Sequence, residues 1–243
     1  MDDFAAAIQA AGADAGCRGI GTLGEKSLHL ALKYYFAPDS ETHEQPVGGF
    51  VADAVTEDGV IEVQTRSLYR LRPKLRAFLP HCPVTVVYPV AAETWLCAVS
   101  ETGELLGQRK SPKHEGVWHA MPEIARLHEF LCSSGFRVCV VSLNLMQYYR
   151  QAGRSRREKL DRAPVSLNAL WYLAGAEDYL ALLPRDCPAE LTASSFAEIA
   201  GIPRRCASAY LRILRKLSAA EASGRRGREL LIRIRPQTAD AAG

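Results

Sequence analysis

Residues 48–65, GGFVADAVTEDGVIEVQT, decide the fold class of this chain. Two runs rich in β-forming residues, 48–54 and 60–65, flank the acidic stretch TEDG at residues 56–59, whose final glycine can adopt a positive φ at little cost. The pattern predicts a β-hairpin. Because side chains alternate along a strand, Glu62 and Gln64 are expected to point to the same face of the second strand.

Three carboxylates stand out around this hairpin. Asp53 and Glu62 can lie side by side across the two strands. Glu25 falls in the first turn of an amphipathic helix predicted over residues 24–36. Carboxylates that converge repel one another unless a cation lies between them, and such oxygen ligands suit Mg²⁺ or Mn²⁺. An ordinary surface hairpin with solvated carboxylates, and a Glu25 that merely favours its helix N-terminus, is the alternative.

The flanking sequence predicts a mixed α/β sheet across residues 1–150. Beyond the first helix and the hairpin, the expected elements are a basic amphipathic helix at 68–79, a buried strand at 84–90, a second hairpin at 95–100 and 104–109, a helix at 121–133 and a buried strand at 137–145.

The motifs GEK at residues 24–26, FVAD at 50–53 and IEVQT at 61–65 resemble, in order and spacing, those of the PD-(D/E)XK nuclease superfamily, particularly its Holliday-junction-resolvase-like branch. The resemblance implies a restriction-endonuclease-like core in which Glu25, Asp53 and Glu62 hold Mg²⁺ or Mn²⁺. It also implies that these three residues and Gln64 form the catalytic site.

Gln64 stands where that superfamily has a lysine. An amide can position a water by hydrogen bonding but provides neither a base nor a positive charge. Lys74 on the following helix, or Lys26 beside Glu25, is expected to supply the missing charge. The cationic side chains after the motif, Arg66, Arg70, Arg72, Lys74 and Arg76, are predicted to contact the phosphates of a nucleic acid.

Residues 151–164 are polar and basic, which predicts a linker, and residues 165–243 are predicted to form a small, mainly helical domain. Helices are expected at 166–183, 192–200 and 204–216, with a glycine turn between the last two and a basic turn before a final strand. This part resembles winged helix-turn-helix domains. The resemblance implies DNA contacts from the recognition helix and the wing, through Arg204, Arg205, Ser208, Arg212, Arg225, Arg226 and Arg228.

The charge distribution agrees with a polyanion-binding C-terminal part. Residues 150–235 carry 17 Lys/Arg against 9 Asp/Glu, whereas the remainder carries 13 and 18. No apolar run is long enough to cross a membrane, and the N-terminus is acidic rather than signal-like. Seven scattered cysteines without a CxxC pair predict neither a disulfide framework nor a zinc ribbon. A cytoplasmic protein, associated with the nucleoid when bound to DNA, is expected.

The sequence therefore predicts a metal-dependent endonuclease that acts on duplex or branched DNA. A homodimer is compatible with this hypothesis, because cutting two strands is easier for a dimer. The main alternative is a DNA-binding regulator or scaffold that keeps the nuclease fold without catalysis. An RNA-directed or protein-docking adaptor that binds through the basic stretch 154–159 is a further alternative.

Overall fold

The computed structural model describes residues 2–14, 26–152 and 156–235 of the 243 residues. In chain order its helices and strands are α1 (Asp2–Asp14), α2 (Lys26–Phe36), β1 (His43–Val47), β2 (Phe50–Thr56), β3 (Gly59–Val63), α3 (Arg72–Phe78), β4 (Val84–Val99), β5 (Leu105–Lys110), α4 (Met121–Ile124), β6 (Phe136–Ala152), β7 (Arg156–Leu173), α5 (Ala176–Leu180), β8 (Glu190–Leu191), α6 (Ala193–Ala200), α7 (Arg204–Lys216), β9 (Ala220–Arg226) and β10 (Glu229–Ile234).

A mixed sheet organises the first two thirds of the chain, which confirms the predicted mixed α/β class. Within the described residues it has seven strands, in the order β1-β2-β3-β4-β6-β7, with β5 paired to β4. The β2–β3 and β6–β7 pairs are antiparallel, whereas β3–β4 and β4–β6 are parallel. Both faces of the parallel centre are covered, as parallel sheets require.

The predicted hairpin is present as β2 and β3. Its turn glycine, Gly59, has a φ of +112°, and a Cβ atom there would approach the carbonyl oxygen of Pro83 to 2.3 Å. The position therefore accepts only glycine without a backbone shift. The second predicted hairpin is the β4–β5 pair, and the predicted basic helix is a 3₁₀ turn at Leu68–Leu71 followed by α3.

Each face of the sheet carries its own apolar layer. One cluster joins Phe4 of α1 and Leu28 and Leu32 of α2 to the face that presents Val63 and Leu143. The other face is covered by α3, α4 and the C-terminal helices. The hairpin β2–β3 lies near one end of the sheet, where α2 packs on one side and α3 on the other.

The prediction of a basic linker over residues 151–164 is wrong. Gln151 and Ala152 complete β6, and residues 156–164 belong to β7, which pairs antiparallel with β6 from Arg156 to Leu173. β7 lies at the edge of the sheet, so its ladder is built by backbone groups and its exposed side chains can stay polar. The absence of an apolar face therefore did not exclude a strand.

The predicted helix at 166–183 is also wrong. Residues 166–173 continue β7, and only Ala176–Leu180 is helical. Short apolar runs fit both the helical and the strand period, and here pairing with β6 selects the strand. The predicted domain boundary after residue 164 consequently falls inside β7. The helix expected at 121–133 is shorter too, since α4 ends at Ile124 and continues only as a 3₁₀ turn.

The C-terminal part follows the predicted pattern of two helices and a hairpin. α6 begins at the N-cap Thr192 and ends at Gly201, which has a φ of +62°, and α7 follows directly. β9 and β10 form a hairpin to which the short strand β8 adds a third strand. These elements share one apolar cluster with the sheet, in which the Trp118 and Phe196 rings meet edge to face at 6.5 Å.

Among the described residues, no helix is both long enough and apolar enough to cross a membrane.

Candidate functional site

The end of the β2–β3 hairpin brings Asp53 and Glu62 together. The paired residues of β2 and β3 run from Thr56 opposite Gly59 to Ala54 opposite Ile61. At the next position, the Asp53 carboxylate takes the place of a backbone hydrogen-bond acceptor. Its Oδ2 accepts the Val63 N–H at 2.8 Å, while the Asp53 N–H donates to Glu62 Oε1 at 3.3 Å. The two carboxylates predicted to lie side by side are therefore fixed at the same end of the hairpin.

Lys74 neutralises the Glu62 carboxylate from helix α3. Its Nζ donates to Glu62 Oε1 at 2.9 Å and to Oε2 at 3.0 Å. The Glu62 side chain is only 2% exposed, whereas that of Lys74 is 27% exposed. Since a buried carboxylate is costly without a partner, this ion pair permits Glu62 to occupy a strand otherwise made of apolar residues.

His29 is a member of the site that the sequence analysis did not identify. It lies on α2, and its Nε2 is 3.2 Å from Asp53 Oδ2. His29 follows Glu25 by four residues, one turn of the predicted helix, and this spacing was the available signal.

Gln64 lines the same cavity as the two carboxylates but is engaged elsewhere. The side-chain amide donates to the carbonyl oxygen of Arg66. The cavity has a volume of about 400 Å³ and is also lined by His29, Lys74 and Arg70. Of the two lysines expected to replace the charge missing at Gln64, Lys74 lies at the carboxylates; the side chain of Lys26 lies outside the described part of the chain.

The two carboxylates have opposite proton affinities. Burial, assisted by the charge of Asp53, raises the pKa of Glu62 to about 7 against the effect of Lys74. Burial alone would also raise the pKa of Asp53, but the hydrogen bond and charge of His29, the Val63 N–H and Lys74 hold this pKa below its ordinary value. Neighbouring acids whose pKa values diverge are typical of catalytic sites, although structural ion pairs also produce them.

The described residues of the site match a hard divalent ion only in part. Carboxylate oxygens of Asp53 and Glu62 have the chemistry that Mg²⁺ and Mn²⁺ prefer. Within the part of the chain that the structure describes, no group of three or more His, Cys, Asp or Glu side chains is placed to hold an ion. Glu25, the third predicted ligand, lies outside the described residues. An ion at Glu62 must share this carboxylate with Lys74.

The predicted phosphate-contacting arginines near the site divide into two groups. Arg72 and Arg76 both pair with Glu129, at 3.3 and 2.9 Å, so α3 is tied to the segment after α4. Arg66 instead lines a neighbouring cavity. Arg70, also a member of the predicted set, is exposed and borders the cavity of Asp53 and Glu62.

The exposed face of α7 is basic and lies beside the β9–β10 hairpin. The helix buries Cys206, Ala207 and Tyr210 and leaves one polar face, composed of Arg204, Arg205, Ser208, Arg212, Arg215 and Lys216. A groove of about 210 Å³ separates this face from β10, with Arg212 and Arg215 on one side and Arg228 on the other. Arg215 is an additional cation that the sequence analysis did not include.

An ion pair joins the wing-like hairpin to the helices. The Arg204 guanidinium donates to Glu229 Oε1 and to Ser194 Oγ, which joins α7, β10 and α6. Arg225, Arg226 and Arg228 are exposed around the turn at Gly227. Arg204 thus has a structural partner, whereas Arg212 and the three wing arginines are displayed to solvent.

Comparison with known proteins places the chain in a family. A model of the family described as "Domain of unknown function (DUF8091)" matches residues 26–170, more than half of the chain. This chain belongs to the DUF8091 family. No solved structure matches it. A protein of Treponema pallidum (strain Nichols), described as uncharacterized, is 32% identical over 223 residues, which cover 89% of this chain and 88% of that protein.

The two matches cover different lengths of the chain. The DUF8091 segment contains Asp53, Glu62 and Lys74 and ends three residues before the end of β7. Because the match to the Treponema protein covers 89% of this chain, it extends beyond the DUF8091 segment into the C-terminal part. The two proteins therefore share more than the DUF8091 segment.

Substitution Glu62→Gln is expected to stabilise the metal-free protein at high pH. The folded chain keeps the Glu62 proton up to about pH 7, whereas the unfolded chain releases it near 4.5. Between these values the folded state binds more protons, so the wild-type free energy of unfolding falls as the pH rises. The free energy of unfolding of the variant is expected to exceed that of wild type by up to about 3 kcal/mol at about pH 8. At about pH 4 the two proteins are expected to differ little.

Urea unfolding in the presence of a chelator at both pH values measures this difference. Glu57→Gln removes an exposed carboxylate from the turn of the same hairpin and serves as the matched control. A Glu62→Gln variant that is less stable than wild type at high pH would contradict the assignment.

Proposed function

We propose that this DUF8091 protein is an Mg²⁺- or Mn²⁺-dependent DNA endonuclease whose C-terminal winged-helix part delivers it to DNA. The observation that carries the proposal is the Lys74 ammonium at 2.9 and 3.0 Å from the Glu62 oxygens, beside Asp53. A PD-(D/E)XK site needs an acid pair and a nearby cation. The chain provides that cation from α3 instead of the position held by Gln64.

The order of elements supports the same proposal. A helix, an antiparallel hairpin with the two acids, a second helix and a parallel strand follow one another as α2, β2–β3, α3 and β4. This is the order expected from the resemblance to the PD-(D/E)XK superfamily. Fold alone does not assign chemistry, so the argument depends on the site residues.

In this proposal Asp53 and Glu62 hold the ion, with Glu25 as the third ligand implied by the resemblance. A bound ion polarises a phosphoryl oxygen and lowers the pKa of a water molecule. Asp53, ionised over the widest pH range, is the constant anchor. Lys74 places a positive charge beside Glu62 that can stabilise charge developing on the phosphate, and Arg70 at the cavity rim can contact a flanking phosphate.

The C-terminal part supports DNA delivery. Its elements α5, β8, α6, α7, β9 and β10 follow one another as in a winged helix-turn-helix. Arg212 and Arg215 of α7 and Arg228 of the wing border one groove, so a phosphate backbone lying along it meets positive charge on both sides.

A non-catalytic DNA-binding scaffold is the second candidate, favoured by two observations. Lys74 already neutralises Glu62 without an ion, and the Gln64 amide is bound to a backbone carbonyl. Under this alternative the acid–lysine cluster only stabilises the fold.

Cleavage assays distinguish the two candidates. Wild-type protein with Mn²⁺ is expected to cut plasmid or branched DNA, and Asp53→Asn and Glu62→Gln are expected to lower the rate roughly 100-fold or more, because each removes an ionised ligand. Lys74→Met is expected to reduce the rate roughly 10- to 100-fold through the loss of the positive charge. The readout is the initial rate of strand scission.

Asp58→Asn, which changes an exposed carboxylate in the hairpin turn, should cleave like wild type. If wild type, Asp53→Asn and Glu62→Gln all have the same activity, or none has any, the endonuclease proposal is refuted. DNA binding without cleavage would then support the scaffold.

Substitution Arg212→Gln is expected to weaken duplex DNA binding about three- to tenfold and to lower the dependence of the affinity on salt by about one counterion. Arg225→Gln combined with Arg226→Gln is expected to have a similar effect at the wing. Gel shifts at several salt concentrations measure both.

Arg185→Gln, an exposed arginine outside the groove, is the matched control. Equal binding by Arg212→Gln, the wing variant and Arg185→Gln would show that DNA uses neither this groove nor the wing. Parallel shifts with RNA test the RNA-directed alternative, which predicts a preference for RNA over duplex DNA.

A further inference from the structure

A second, larger cleft lies beside the candidate site on the sheet. It has a volume of about 650 Å³ and begins at Thr65 and Arg66, directly after Gln64. β4 and β7 and the segment after β5 form its other walls. The volume is in the range of pockets that hold small organic ligands and far exceeds the size of a single inorganic anion.

Positive charge dominates the lining of this cleft. Its cations are Arg66, Lys113, Lys159 and Arg162, against the carboxylates of Glu115 and Asp161. Both carboxylates are engaged by the protein. Glu115 accepts from Lys113 and from the Ala91 N–H, and Asp161 accepts from Ser27 Oγ at 2.5 Å and from the Arg162 N–H.

Arg162 is a cation of this cleft that makes no ion pair within the described residues. Its guanidinium is half-buried on β7, and within the described parts of the chain it forms no hydrogen bond or ion pair with a side chain. Burial lowers the pKa of Arg162, and the charge of Arg66 lowers it further, against the effect of Glu115. An arginine remains charged at neutral pH, and a partly buried guanidinium is stabilised when an anion lies beside it.

The cleft also has surface that suits a ring. Tyr88, Leu96 and Leu160 contribute apolar surface to the cleft. Burial raises the pKa of Tyr88 to about 12, so its phenol remains an uncharged donor. A cleft lined both by cations and by aromatic and apolar surface matches a phosphate linked to a nucleoside.

We propose that this cleft binds a nucleotide, with its phosphate on Arg162 and Lys159 and its base against Tyr88. The nucleotide is either free or an unpaired unit of a nucleic-acid strand. The site uses residues distinct from Asp53, Glu62 and Lys74, and its occupation does not require cleavage.

Calorimetric titration of the full chain in a chelator tests the proposal. The probes are a nucleoside monophosphate, the same nucleoside without phosphate, and a short single-stranded oligonucleotide. Wild type is expected to bind at least one phosphorylated probe and not the bare nucleoside. Arg162→Gln is expected to weaken binding about tenfold or more, and the exposed Lys159→Gln about threefold, because each removes a charge-assisted contact.

Arg157→Gln is the matched control, since Arg157 lies on the same strand over the Tyr149 ring, outside the cleft. Binding of the monophosphate identifies a free nucleotide, and binding of the oligonucleotide alone identifies a strand. The proposal is overturned if neither phosphorylated probe binds, if the bare nucleoside binds equally, or if Lys159→Gln and Arg162→Gln both match Arg157→Gln. Should Arg162→Gln not fold, Lys159→Gln alone decides.

Glu62→Gln separates this proposal from the endonuclease proposal. It is expected to lose cleavage and to keep nucleotide binding. If Glu62→Gln loses nucleotide binding as well, the phosphate is bound at the acid pair and the cleft assignment is wrong.

Discussion

A carboxylate buried in a β-strand is the constraint on which the candidate site depends. Glu62 lies between apolar neighbours in β3, and its charge is compensated by Lys74 from α3 and by the Asp53 N–H from β2. The arrangement fixes the position of α3 relative to the hairpin, because a displaced Lys74 would leave a buried charge without a partner. Its cost is visible in the raised pKa of Glu62. A protein that needs only stability is better served by an apolar residue there, which favours a functional explanation.

The sequence specifies the local elements of this fold better than its long-range pairings. The glycine turn at residues 56–59, the N-cap Thr192 and the glycine after α6 are short-range signals, and the elements they delimit are present. The sequence did not predict β7 because the side chains of its first part are polar. This segment is a strand because its backbone pairs with β6. α1 was not predicted, since its many alanines give a weak amphipathic pattern.

The same distinction applies to the site. The alternation of side chains along one hairpin predicted that Asp53 and Glu62 are neighbours. In the structure the Asp53 N–H donates to Glu62 Oε1. Lys74 was one of two lysines left open, and only the turn between β3 and α3 brings it to Glu62. The Glu129 partner of Arg72 and Arg76 and the cleft around Arg162 depend on contacts between distant segments. Periodicity contains no information about such contacts.

Manganese binding followed by electron paramagnetic resonance tests the central claim most directly. The account predicts that the wild-type chain binds Mn²⁺ saturably near neutral pH, that Asp53→Asn and Glu62→Gln abolish this binding, and that Glu57→Gln retains it. Absence of saturable binding in wild type, or unchanged binding in Asp53→Asn and Glu62→Gln, would contradict the account and leave the acid–lysine cluster as a purely structural feature.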